Sequence, residues 1–141
     1  MKKLLLSLFF LSFALGIQAQ VPKTGAVKKV QKQGLQYHMQ NYFMVILKKG
    51  PNQNQDSITL NKMMEGHLAN INRLAGEGKL ILAGPFLDNG NMRGIFVFNV
   101  ATENEVKALL DTDPAVKAGR FSYEIHPWMG PQKLVDVVKK P

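Results

Sequence analysis

Residues 63–86 read MMEGHLANINRLAGEGKLILAGPF, and the apolar spacing changes period halfway along. In the first half Met64, Leu68, Ile71 and Ala75 recur at helical intervals, flanked by Leu60, Met63, His67 and Leu74. In the second, Leu80 to Leu82 make a short β-favouring run that Gly84-Pro85 stops. Gly76 and Gly78 lie at the join, where a glycine takes the left-handed conformation that ends a helix. The pattern predicts one helix running straight into one strand, with His67 on the flank of the helix's apolar stripe.

Upstream, Tyr42 to Lys48 (YFMVILK) is an unbroken apolar run that predicts a first strand, and Asp56 or Ser57 caps a helix from about Ile58 to Glu77. Lys79 to Ala83 is then the second strand. Asn89-Gly90 suits a hairpin, and Gly94 to Val100 (GIFVFNV) is the third strand. Thr102 and Glu105 form a capping box for a second helix that ends near Asp111. Asp113-Pro114 opens a short turn closed by Gly119. Phe121, Tyr123 and Ile125 alternate with Ser122, Glu124 and His126, which predicts a fourth strand, to Trp128, with one wetter face.

The order β-α-β-β-α-β gives two helices, enough to cover one face of a four-stranded antiparallel sheet. The first and third strands are apolar on both faces, so the second face needs a cover too. A second copy of the same sheet supplies one, and a homodimer packed sheet to sheet is expected.

The chain ends read differently. Lys2-Lys3, the apolar run from Leu4 to Gly16 and Ala19 form a secretory signal peptide over residues 1–19, cut between Ala19 and Gln20. The run is shorter than the roughly 20 apolar residues of a spanning helix, so export to the periplasm or outside is expected, with no stable membrane insertion after cleavage. Roughly 120 residues then remain, one small domain. Without cysteine, packing and association must supply the stability that disulfides give many exported domains. The formal charge of +8 belongs to the ends: between Tyr42 and Pro131 nine basic residues balance nine acidic ones. That argues against a nucleic-acid partner, which needs cations clustered on folded elements. Residues 20–41 are read as a flexible basic linker, residues 42–131 as the domain and residues 132–141 as a basic tail.

Five fragments in order carry a resemblance: Gly66-His67-Leu68, Gly78-Lys79-Leu80, Ala83-Gly84-Pro85, Thr112-Asp113-Pro114 through Lys117-Ala118-Gly119, and Ile125-His126-Pro127-Trp128. From about Tyr42 to Trp128 the chain resembles the YCII-related (YciI-like) family. The resemblance implies a ferredoxin-like α+β fold with dimeric, barrel-like packing, and a small-molecule pocket. It also implies that His67 and Asp113 are the catalytic pair. The family's enzyme-like members often carry an arginine one turn before the histidine, where this chain has Met64.

Histidine titrates near neutrality and gives or takes a proton, and a carboxylate on one ring nitrogen fixes its tautomer. The plainer readings are a histidine at the edge of a core and an Asp-Pro helix cap, the latter compatible with catalysis because a carboxylate has two oxygens. Gly84 and Pro85 either stop a strand or border the pocket, Pro114 follows the aspartate, and His126 either lines the pocket or closes the core's edge. No cofactor is expected: there is no phosphate loop, nucleotide fingerprint or nucleophile motif, and neither thiolate nor clustered histidine for a metal. Three functions fit: a proton-transfer or lyase-type enzyme of small molecules, a non-catalytic ligand-binding domain, and an envelope interaction protein.

Overall fold

The computed structural model describes residues 28–32, 35–132 and 134. The elements are β1 (Lys28–Lys32), β2 (Leu35–Lys49), α1 (Ser57–Gly76), β3 (Leu80–Pro85), β4 (Met92–Phe98), α2 (Glu103–Leu110), α3 (Pro114–Lys117) and β5 (Phe121–Pro131). The expected signal segment, residues 1–19, lies outside the described residues, as does all of the tail except Gln132 and Leu134.

The sheet is antiparallel. β5 pairs with one edge of β2 and β4 with the other, and β3 flanks β4, giving the order β5-β2-β4-β3 of a ferredoxin-like α+β fold. One expectation is corrected here. The flexible linker placed over residues 20–41 gives way to β1 and to the first seven residues of β2, where β1 pairs beyond the end of β4. The reason is the length of β5. It runs to Pro131, and its pairs Met39–Pro131 and Asn41–Met129 need a strand that starts well before Tyr42.

Caps and turns follow local chemistry. Asp56 Oδ1 accepts from the Ile58 and Thr59 amides and starts α1. Gly78, at φ +69°, carries the left-handed turn out of α1, whereas Gly76 remains helical. The Thr102 hydroxyl accepts from Glu105 N, and Glu105 reaches back to the Ala101 amide. Between β3 and β4 the chain takes a longer loop than a two-residue hairpin, with Phe86 N donating to Arg93 O at its base.

Phe43, Val45 and Leu47 of β2 and Phe96 and Phe98 of β4 meet Leu74 of α1 and Val106, Leu109 and Leu110 of α2 in the main core. Each such side chain contributes about 1.5–3 kcal/mol by leaving water. Along α1 the buried residues are Met63, His67 and Leu74, while Leu68 stays 56% exposed. His67 is therefore in the centre of the buried face rather than on its flank. Met64 and Leu68 border an open cavity instead of the core, and Ile71 borders that cavity while also packing against the core. Helical spacing alone cannot distinguish those two destinations.

The opposite sheet face carries a smaller cluster of Tyr42, Ile81 and Val97, with Met44, Trp128 and Leu134 against it. Trp128 lies 5.8 Å from Tyr42 between ring centroids and closes this edge.

Candidate functional site

Two close approaches bring the site together. A Cβ added at Gly66 would lie 2.9 Å from Pro114 Cγ, so only glycine lets α1 come this near to the first turn of α3. Beside this contact Arg73 of α1 donates to Asn70 Oδ1 and to the Thr112 hydroxyl, and that hydroxyl also lies 2.9 Å from Asn70 Oδ1. The helix is thus tied to the residue just before Asp113.

Asp113 is 1% exposed and uses both carboxylate oxygens. Oδ1 accepts from Ala115 N at 2.8 Å, which caps α3 over Pro114. Oδ2 lies 2.6 Å from His67 Nδ1, with the two side chains 1% and 8% exposed. A carboxylate only accepts, so Nδ1 carries the hydrogen and donates it. The two bonds satisfy a carboxylate whose burial would otherwise be costly. The imidazole is held in place by Phe96, stacked at 6.0 Å, and by the edge contact of Phe121 at 5.3 Å.

His67 Nε2 has no hydrogen-bond partner among the described residues, and no fully buried side-chain nitrogen or oxygen there lacks one. Nε2 therefore reaches open space. That space is a cavity of about 410 Å³ lined by His67, Leu68, Ile71, Ala83, Pro85, Arg93, Phe96 and neighbouring residues. Pairing with Phe96 and Gly94 puts Ala83 and Pro85 on the helix side of the sheet. Gly84 pairs with Ile95, so any side chain there would face the other way and it lines the cavity with backbone. A second cavity of about 330 Å³ shares Met64, Arg93 and Phe121 and adds Lys49, Gln53 and Arg120.

His67, Asp113, Gly84 and Pro85 thus gather at one place, Asp113 behind the imidazole and the other three on the cavity. Pro114 supports the pair through Gly66 and does not line the cavity. His126 is a correction. It pairs with Met44, on the face away from the helices, and its side chain is 54% exposed beside Glu124. Lys48 holds the Glu124 carboxyl below its ordinary range, chiefly through their hydrogen bond, and His126 adds only slightly to this. His126 belongs to that surface charge group. Strand alternation already separates it from Phe121, Tyr123 and Ile125.

Arg93 is the site residue that sequence reasoning misses. Leu47 pairs with Gly94 but Lys48 pairs with Met92, so Arg93 is an extra residue in β4. Strict alternation from Phe98, Phe96 and Gly94 would send Arg93 to the far face. The bulge instead turns it to the helix side, where it borders both cavities. Among the described residues no three histidine, cysteine or carboxylate side chains gather as metal ligands would.

No curated protein matches the chain. Among solved structures it is similar to 5-chloro-2-hydroxyhydroquinone dehydrochlorinase (TftG) from Burkholderia phenoliruptrix AC1100, in complex with 2,5-dihydroxybenzoquinone. The identity is 25% over 62% of this chain and 92% of that one, with a TM-score of 0.48. The model of the YCII-related domain matches residues 41–129, which hold both His67 and Asp113. The chain belongs to the YCII-related domain family.

Proposed function

We propose that this chain is a small-molecule enzyme in which His67 Nε2 transfers a proton in the cavity between α1 and β3–β4. The supporting observation is the shielded 2.6 Å bond from His67 Nδ1 to Asp113, which leaves Nε2 as the ring's free base and turns it to the cavity. Asp113 is a positioning residue: it fixes the tautomer and stabilises the imidazolium that forms when Nε2 takes a proton. Most of the cavity lining is apolar, which lowers the local dielectric constant and strengthens the electrostatics at the reacting group. The reaction class is abstraction of a proton next to an electron-withdrawing group, or an elimination that begins with it.

The test is proton–deuterium exchange in heavy water, followed by NMR over a panel of small ketones and hydroxylated aromatic compounds. His67→Asn keeps a donor toward Asp113 but cannot transfer the proton. It should slow any exchange the wild type catalyses by about 10²–10⁴-fold. Equal rates in the two folded proteins would contradict the reading. A panel member that is bound but never exchanged would support the non-catalytic ligand-binding alternative on the same cavity.

We also propose that the protein is exported after cleavage at Ala19, on the pattern of its first residues, and that it pairs with a second copy through the sheet face away from the helices. Leu82 and Met92, 41% and 45% exposed, lie on that face beside half-buried Ile46 and Ile95. These residues support the second proposal because lone copies would leave them in water.

A further inference from the structure

We propose that the site binds a small organic anion, with its charged group on Arg93 and its apolar body against α1 beside His67. This deepens the proposed acid/base function by naming the ligand class, and it rests on the same cavity.

Three observations carry it. The first is the bulge in β4: an extra residue in the strand is what puts Arg93 on the cavity that His67 and Phe96 also line. The second is that the Arg93 side chain has no hydrogen bond or ion pair among the described residues, although the residue is partly buried. A half-buried guanidinium normally has a carboxylate or carbonyl partner, because its five donors lose water on burial. Its neighbours do have such partners: Arg120 donates to Gln53 O and Gln55 Oε1, and Lys49 is 3.4 Å from Asn89 O. The third is charge. The residues lining the two cavities include Lys49, Arg93 and Arg120 but no aspartate or glutamate: Lys49 and Arg120 border the second cavity, and Arg93, which borders both, meets no compensating anion in either. A planar fork of donors in such a field suits a carboxylate, which it can hold through two parallel bonds. Leu68, Ile71 and Phe96 on the other side favour an apolar or aromatic remainder. A ligand held at both ends in this way presents its middle to Nε2.

A matched pair of probes tests this: 4-hydroxybenzoate and 4-hydroxybenzyl alcohol, nearly equal in size and different in charge. Binding is followed by NMR shift titration of wild type, Arg93→Gln, Arg93→Lys and His67→Asn, each first shown to be folded by its amide spectrum. Wild type should bind the carboxylate about tenfold or more tightly than the alcohol, with the margin shrinking as salt rises. Arg93→Gln should reduce the margin to about threefold or less, and Arg93→Lys should restore part of it. His67→Asn should keep the margin, since the anion's partner is intact. That arm separates the two ideas: a preserved margin with no His67-dependent exchange would remove the catalytic reading and leave the anion site standing. Equal affinity of the two probes for wild type would overturn the proposal. So would a carboxylate preference that survives Arg93→Gln, or no binding of either probe at about 10 mM.

Discussion

Gly66 and Pro114 touch at a place where a single methyl group would overlap, and this contact sets the distance between His67 and Asp113 one residue away on each side. The pair is therefore a product of helix approach as well as of side-chain chemistry.

Gly66→Ala should separate α1 from α3. Its Cβ would meet Pro114 Cγ at 2.9 Å, on a ring that cannot rotate away. Overpacking of this kind costs about 1–3 kcal/mol. Denaturant unfolding should show that loss, and the ring nitrogen signals of His67 should lose the signature of the Asp113 hydrogen bond. Unchanged stability and an unchanged ring would mean that the helices tolerate a wider spacing.

The acid limb of stability should involve the cap that starts the histidine's helix. Hydrogen bonds from the Thr59 amide, then from its hydroxyl, hold the Asp56 carboxyl below its ordinary value of 3.8. A depressed carboxylate contributes stability that is fully present above the unfolded value and is lost as pH falls through the folded one. Asp56→Asn caps comparably and does not titrate. Its stability should therefore fall less than that of wild type between about pH 4 and pH 2. Parallel acid unfolding curves would remove Asp56 from the account.

Much of the site is legible in the sequence because its determinants are local. His67 reads as a titratable ring and Asp113-Pro114 as a capped turn, the family resemblance implies their pairing, and the structure joins them through a Gly66–Pro114 contact that the sequence alone does not announce. Arg93 is not legible, since alternation assigns it to the wrong face and only the pairing of Lys48 with Met92 reveals the bulge. The strand beginning at Leu35 is obscured by the glutamines, lysines and glycine around it. Its partner, the far end of β5, lies about ninety residues away in sequence. Leu68 fits the helical stripe equally well whether that stripe faces a core or a cavity.

The sheet-to-sheet homodimer should be evident in light scattering at micromolar concentration as twice the chain mass. Leu82→Lys and Met92→Lys together should shift it to monomer, because both residues lie on the exposed part of that face. A wild-type monomer would mean that Trp128 and Leu134 cover enough of the face within one chain.

Export has a simple mass test. Protein recovered from outside the cytoplasm should begin at Gln20, which intact mass spectrometry reads directly. Retention of residues 1–19 in that fraction would contradict cleavage.

The most direct test of the catalytic claim is the tautomer of His67, read from its ring ¹⁵N shifts at neutral to mildly alkaline pH. In wild type the neutral ring should carry its hydrogen on Nδ1, bonded to Asp113 Oδ2, with Nε2 unprotonated and open to the cavity. In Asp113→Asn the α3 cap should survive, since asparagine also accepts from Ala115 N. The amide can then donate to Nδ1, which moves the hydrogen to Nε2 and removes the base from the cavity. A wild-type ring with its hydrogen on Nε2, or identical ring spectra in the two folded proteins, would contradict the account.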